Sequence, residues 1–284
     1  MNKSLSLLLI LIFSAQTAFA QMERRRTITD EPEEVFLTMS LITMATTSNL
    51  ERKNMNSTIM HNFGLVSGGI DDFWGLDNGA AVRLGIDYGI TDKLSVGIGR
   101  TSREDNVDLS IKYTVLNQMK SGKTPVEVAI KGDIGINTQK ESRFDFTFQE
   151  RLNSFASIMV ARKFSDSFSF QVAPMISHFS TVVIETEGQQ IEHTHMGSGF
   201  GGEIRLNNKH SFSFEYYLVF GDRTAGTKNP AALSWQVDTG GHVFQMFIMS
   251  GTWFTEQHLL ARTRTDFFAP DFRIGFNVNR VFGL

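Results

Sequence analysis

The segment "IEHTHM" (191–196) sets His193 and His195 two residues apart beside Glu192, with Glu185 and Glu187 a few residues upstream. On an extended segment two such imidazoles share a side and supply two of the four ligands that a zinc ion takes. Two ligands at this spacing do not complete a site, so no metal and no cofactor is expected. Ser177, His178 and Ser180 invite a nucleophile–base reading. Successive residues of a strand point to opposite faces, however, so Ser177 and His178 diverge, and spacing supplies no third group to orient the imidazole. No glycine loop leads from a strand into a helix to hold phosphate, and no helical metal motif occurs. The chain is not expected to be an enzyme.

A second group of side chains points to a water path rather than to catalysis. Arg83, Asp87, Lys112, Glu127, Lys131, Asp133, Glu203, Arg205, Glu215 and Arg273 interrupt stretches in which apolar residues otherwise alternate. They are five basic and five acidic residues, a balance that fits either internal ion pairing or a pore without strong ion selectivity. A third group is aromatic: Trp253, Phe254, Phe267 and Phe268 fall in one long connection, 252–270. They can stack on a ligand or bury one another.

The elements that must position these residues are strands. In "GIDYGITDKLSVGIG" (85–99), Ile86 and Tyr88 alternate with Gly85, Asp87 and Gly89, and after a short turn Leu94, Val96 and Ile98 alternate with Ser95, Gly97 and Gly99. This is a hairpin. The pattern repeats to give twelve strands, near 56–64, 79–90, 94–101, 106–116, 125–135, 151–163, 168–178, 196–206, 211–220, 231–238, 241–251 and 271–282. Pro174 lacks an amide donor, so a bulge is expected there. The parity of 151–163 is ambiguous, because Phe155 and Met159 oppose Ile158 and Val160.

Short connections alternate with mostly longer ones along the chain. An even number of strands joined this way predicts an all-β, transmembrane up-and-down antiparallel β-barrel, with short periplasmic turns and long extracellular loops. The apolar face then meets lipid, and the face carrying charge and glycine lines the lumen. Aromatics beside the short turns (Tyr88, Phe164, Phe168, Phe212 and Phe282) would form an interfacial girdle.

Residues 1–20 read as a cleaved signal peptide: Lys3, the apolar run "LSLLLILIF", then Ala18 and Ala20 before the cut. Nine apolar residues are too few to span a bilayer, which takes about 20. Cysteine is absent, which excludes a lipoprotein anchor and disulfides. Without Lys3 the mature chain has 26 basic and 30 acidic side chains, net −4, which gives no reason to expect nucleic acid as a partner. Residues 21–55 form an arm placed in the periplasm or the lumen, and 56–284 the barrel. The expected location is the outer membrane of a Gram-negative bacterium. The expected partners are its lipids, the barrel-assembly machinery and small polar solutes.

Several segments together resemble a Bacteroidota outer-membrane β-barrel family whose domain has no assigned function. They are "FWGLDNGAAVRLGIDYGITDKLSVGIGRTS" (73–102), "VDLSIKYTVLNQ" (107–118), "FSFQVAPMISHF" (168–179), "GGHVFQMF" (240–247) and "DFRIGFNVNRVF" (271–282). Asn62 and Ser180 stand where that family usually has arginine. The resemblance implies a barrel and carries over no catalytic residue. Two functions follow as expectations: a passive channel or uptake pore for small polar solutes, obstructed by 35–45, or a non-conducting barrel that binds or scaffolds through its loops.

Overall fold

A computed structural model describes residues 30–140, 145–182, 191–269 and 271–283. The expected signal peptide and the loop residues Glu185 and Glu187 lie outside them. Among the described residues twelve strands form one closed antiparallel barrel, each paired with its sequence neighbours and the last with the first. They are β1 (Asn54–Leu65), β2 (Ala81–Thr91), β3 (Leu94–Thr101), β4 (Val107–Leu116), β5 (Glu127–Ile136) and β6 (Leu152–Ser165), followed by β7 (Phe168–Phe179), β8 (Thr194–Arg205), β9 (His210–Phe220), β10 (Ala231–Asp238), β11 (Val243–Met249) and β12 (Arg273–Gly283). Among the described residues one α-helix, α1 (Glu256–Arg262), lies between β11 and β12.

Side-chain alternation sorts the wall. Leu84, Ile98, Leu109, Ile134 and Met246 point outward and are half or more exposed. Asn56, Lys112, Asp133, Gln171, Glu203, Glu215, Gln245 and Asn277 point inward and are buried. An apolar exterior over a polar interior is the arrangement that a barrel needs in lipid, where closure also leaves no edge strand unpaired. On β6, Phe155 and Met159 turn in and Ile158 turns out, which resolves that strand's parity.

Pro174 departs from expectation. The register between β6 and β7 is the same on either side of it (Ser157 opposite Met175, Val160 opposite Val172), and toward β8 it pairs with Ser198. The missing donor interrupts the β6 ladder opposite Ile158 without inserting a residue, so there is no bulge.

At one end of the barrel the connections are 92–93, 117–126, 166–167, 206–209 and 239–242; at the other they are 66–80, 102–106, 137–151, 180–193, 221–230 and 250–272. Both barrel termini, Asn54 and Gly283, pair with each other at the first end.

Candidate functional site

The site is the lumen, and it is occupied by the chain itself. Residues 35–50 enter from the short-turn end, fold back and leave by the same end. Leu41 and Met44 close the tip (amide to carbonyl, 2.9 Å), and the amide of Thr46 donates to the carbonyl of Met39 at 2.9 Å. Val35, Phe36, Leu41, Ile42 and Met44 are almost fully buried. This inserted loop has little regular structure of its own, so its backbone groups need partners from the wall. The two limbs are moored at the short-turn end. The amide of Glu33 donates to the carbonyl of Gln118 at 2.8 Å, and that of Lys53 to Gly89 at 2.8 Å. Lys163 pairs with Glu33 at 3.1 Å.

The charged residues on the lumenal face supply most of those partners. Glu215 accepts the amides of Ile42, Thr43 and Met44 at 2.9–3.1 Å, together with the hydroxyl of Thr43. Glu203 accepts the amide of Leu37 at 3.4 Å while paired with Arg205 at 2.7 Å. Lys112 donates to the carbonyls of Thr46 and Ser48. Gln171, Gln245 and Asn277 donate to the carbonyls of Ala45, Leu41 and Ile42 at 2.6–3.0 Å. A carboxylate accepting several amides makes charge-assisted bonds, about twice as strong as neutral ones.

Glycines on the same wall make room. A side chain at Gly199 would stand 2.6 Å from the Cε of Met44, and one at Gly201 would overlap Leu41. This is the reason for glycine on the polar face of β8.

From the opposite end the connection 250–272 folds inward and carries α1 into the lumen, where all but its last residue are buried. Glu256 at its start accepts the amide of Ala45 at 3.2 Å and pairs with Lys131 at 2.6 Å, which in turn pairs with Asp133 at 2.7 Å. The two inserted elements therefore meet in mid-barrel. Arg83 pairs with Asp108 at 2.5 Å. Asp87 faces Asn56 at 3.5 Å, the Oε1 of Glu127 is buried without a partner, and Arg273 donates to the carbonyl of Phe63 at 3.2 Å.

The remaining sequence candidates are dispersed. Trp253 and Phe254 turn inward instead of lining an outer surface: Trp253 stacks on His258 at 4.3 Å, and Phe254 packs edge-on against Phe247 at 6.5 Å. Both are therefore withdrawn from the outer surface, and Trp253 lines the cavity at the long-loop end. Phe267 meets Phe268 at 5.7 Å, and Phe268 is 78% exposed. His193 bonds to the carbonyl of Phe179 at 2.8 Å, whereas His195 is buried on the lumenal side. No cluster of three metal-ligating side chains occurs among the described residues. Ser177 is buried and His178 exposed, on opposite faces, with the imidazole bonded to Thr194 at 2.8 Å.

Sequence reasoning missed Glu256 and a group of arginines at the long-loop mouth: Arg103, Arg151, Arg262 and Arg264. The only signal for them was "ARTRT" (261–265), beside the aromatic run. At this mouth burial lowers the pKa of Arg103, with Glu104 opposing, and the Thr147 hydroxyl and amide hold the Glu150 carboxyl below its usual value. Among the described residues, cavities include about 850 Å³ at the short-turn end, about 110 Å³ between the inserted loop and the wall near Arg83 and Lys131, and about 430 Å³ at the mouth.

Solved folds that align with this chain include barrels that it covers almost end to end. The COG4313 outer membrane channel from Pseudomonas putida F1 aligns with a TM-score of 0.50 and 12% identity, over 83% of this chain and 98% of that one. The KdgM porin gives 0.48 and 7%, over 80% and 99%, and the NanC porin 0.47 and 8%, over 81% and 98%. No functionally curated protein matches the sequence. The model of the membrane-bound β-barrel domain DUF5777 matches residues 36–282, a span that begins within the inserted loop and runs nearly to the end of β12. With its closed twelve-stranded wall and that match over most of its length, the chain belongs to the DUF5777 family of membrane-bound β-barrel domains.

Proposed function

We propose that the protein is an outer-membrane channel for small polar solutes, held closed by the inserted loop 35–50 from the short-turn end and by α1 from the other. The proposal includes export by the signal peptide, short turns in the periplasm and long loops outside, as alternating connections in such barrels are arranged. The outward apolar band is in contact with outer-membrane lipids, and insertion is the work of the barrel-assembly machinery.

The observation that carries the reading is how the inserted loop is held. Its backbone is bound by polar side chains of the wall, notably Glu215 and Lys112, while Phe36, Leu41, Ile42 and Met44 join an apolar cluster with wall and helix residues such as Met159, Tyr217 and Leu260. Water can replace those polar bonds group for group, so Glu215, Lys112 and the other polar wall groups would be hydrated when the loop is released. A twelve-stranded wall with strands ~4.8 Å apart and tilted ~40° encloses a backbone diameter of roughly 24 Å, wide enough for a passage once emptied.

The second reading, a non-conducting barrel that binds or scaffolds through its loops, is favoured by one observation: the lumen is filled from both ends. A planar-bilayer recording separates the two. Full-length protein is expected to conduct little, and a variant that lacks 21–50 and has 253–262 replaced by a Gly-Ser linker, so that both closures are gone, to give stepwise conductance while remaining folded. A folded, silent deletion variant would overturn the channel reading.

A further inference from the structure

We propose that the cavity at the long-loop mouth is a capture site for a small soluble oxyanion, a carboxylate or phosphate monoester. This rests on the channel reading only in naming the solute class that such a channel would collect.

The cavity of about 430 Å³ is lined by Arg103, Arg151, Arg262, Arg264 and Arg273, against the acids Glu104, Glu150 and Glu192. Arg262 is paired with Glu104. Arg103, Arg151 and Arg273 are in no ion pair among the described residues. The bonds of Arg151 run to the carbonyls of Phe146, Asn137 and Gln139, and the bond of Arg273 to that of Phe63. Carbonyls satisfy N–H groups but leave the charge uncompensated. The Nε of Arg273 is buried with no partner among the described residues.

The guanidiniums are also preorganised. Arg103 lies 5.8 Å over the ring of Trp253, Arg262 lies 4.7 Å over Phe179 and 5.5 Å over Trp253, and Arg151 lies 5.8 Å over Phe146. A guanidinium held over an aromatic face is positioned while the N–H groups it has not already used stay free for a carboxylate or phosphate. A second observation points the same way. His195 lines the cavity, is 1% exposed, and has no hydrogen-bond partner at either ring nitrogen among the described residues. A buried imidazole left unpaired is costly unless something else bonds to it. An oxyanion between His195 and the arginines would satisfy both. The other nine wall charges noted from the sequence, four basic and five acidic, nearly cancel, so this mouth is where charge selection resides.

Binding can be read without any current. Trp74 and Trp235 are replaced by Phe, which leaves Trp253 as the sole indole reporter. Full-length protein folded in detergent is then titrated with glucuronate, glucose 6-phosphate and glucose. The two anions are expected to change Trp253 emission saturably, and glucose is not. Arg103→Gln, at an exposed position, is expected to lower anion affinity about tenfold, and Arg273→Gln to weaken it in the same direction. In nanodiscs the affinity for glucuronate should be the same with phosphatidylglycerol as with phosphatidylcholine. Competition by the anionic lipid would assign the arginines to headgroups and overturn the proposal. So would an equal response to glucose, or an unchanged titration in both arginine variants when their unboiled gel mobility shows them folded. Loss of anion binding leaves the conductance of the loop-deleted barrel as it was, and a silent bilayer leaves this binding site as it was.

Discussion

Glu215 shows how much a single buried carboxylate does here. It stands in mid-strand on β9 and takes three successive backbone amides and a hydroxyl from the tip of the inserted loop. Glu215→Ala removes all of these acceptors at once, and each amide left buried without a partner costs about 1–3 kcal/mol. The loop should undock while the barrel persists. Ala45→Cys, buried at the tip in this otherwise cysteine-free chain, is then expected to react with a thiol reagent far faster than in the parent protein. Gly201→Leu reaches the same state by a different route, because its side chain would occupy the space of Leu41. Slow labelling in both variants would mean that these contacts do not hold the loop.

The strands obey a simpler rule. Leu84 is 56% exposed at mid-strand on the outer face of β2, so Leu84→Arg is expected to destabilise the folded barrel by about 2–4 kcal/mol if it sits near the bilayer midplane. A denaturant titration in lipid vesicles measures this, and a negligible effect would mean that the outer face does not meet lipid. The same two-residue period made the twelve strands and their faces legible in the sequence, because lipid on one side and polar groups on the other leave each position little choice. Pro174 was misjudged for a local reason: loss of one donor was tolerated by the ladder without a register shift. The path of 35–50 was not legible at all. An apolar run such as "VFLTMSLITM" suits a strand, a helix or a plug equally, and what fixes it are side chains such as Glu215 and Asn277, far away in sequence. The helix α1 has only seven residues, too few for a 3.6-residue period to stand out. The mouth arginines come from separate connections, and only closure of the barrel brings them together.

For the whole molecule, closure predicts a form in which every wall strand is paired on both sides and unfolding is cooperative. Unboiled protein should therefore migrate differently from boiled protein on a detergent gel, and identical mobility would argue against a closed barrel. Orientation is tested by two single cysteines. Gly226→Cys, at the long-loop end, should react with an impermeant reagent on intact cells, and Asp166→Cys, at the short-turn end, only after the outer membrane is breached; the reverse pattern would invert the proposed topology. The inserted loop, finally, goes in and comes out at the same end, with Glu33 moored to the 117–126 turn and Lys53 to the edge of β2. Nothing is threaded through the wall, so the loop can leave and return without opening the β1–β12 seam or untying any part of the chain. Its two positions are therefore alternative states of one covalent topology, separated by a free-energy difference and not by a topological lock, and any ligand or pull that prefers the empty lumen can shift the population between them.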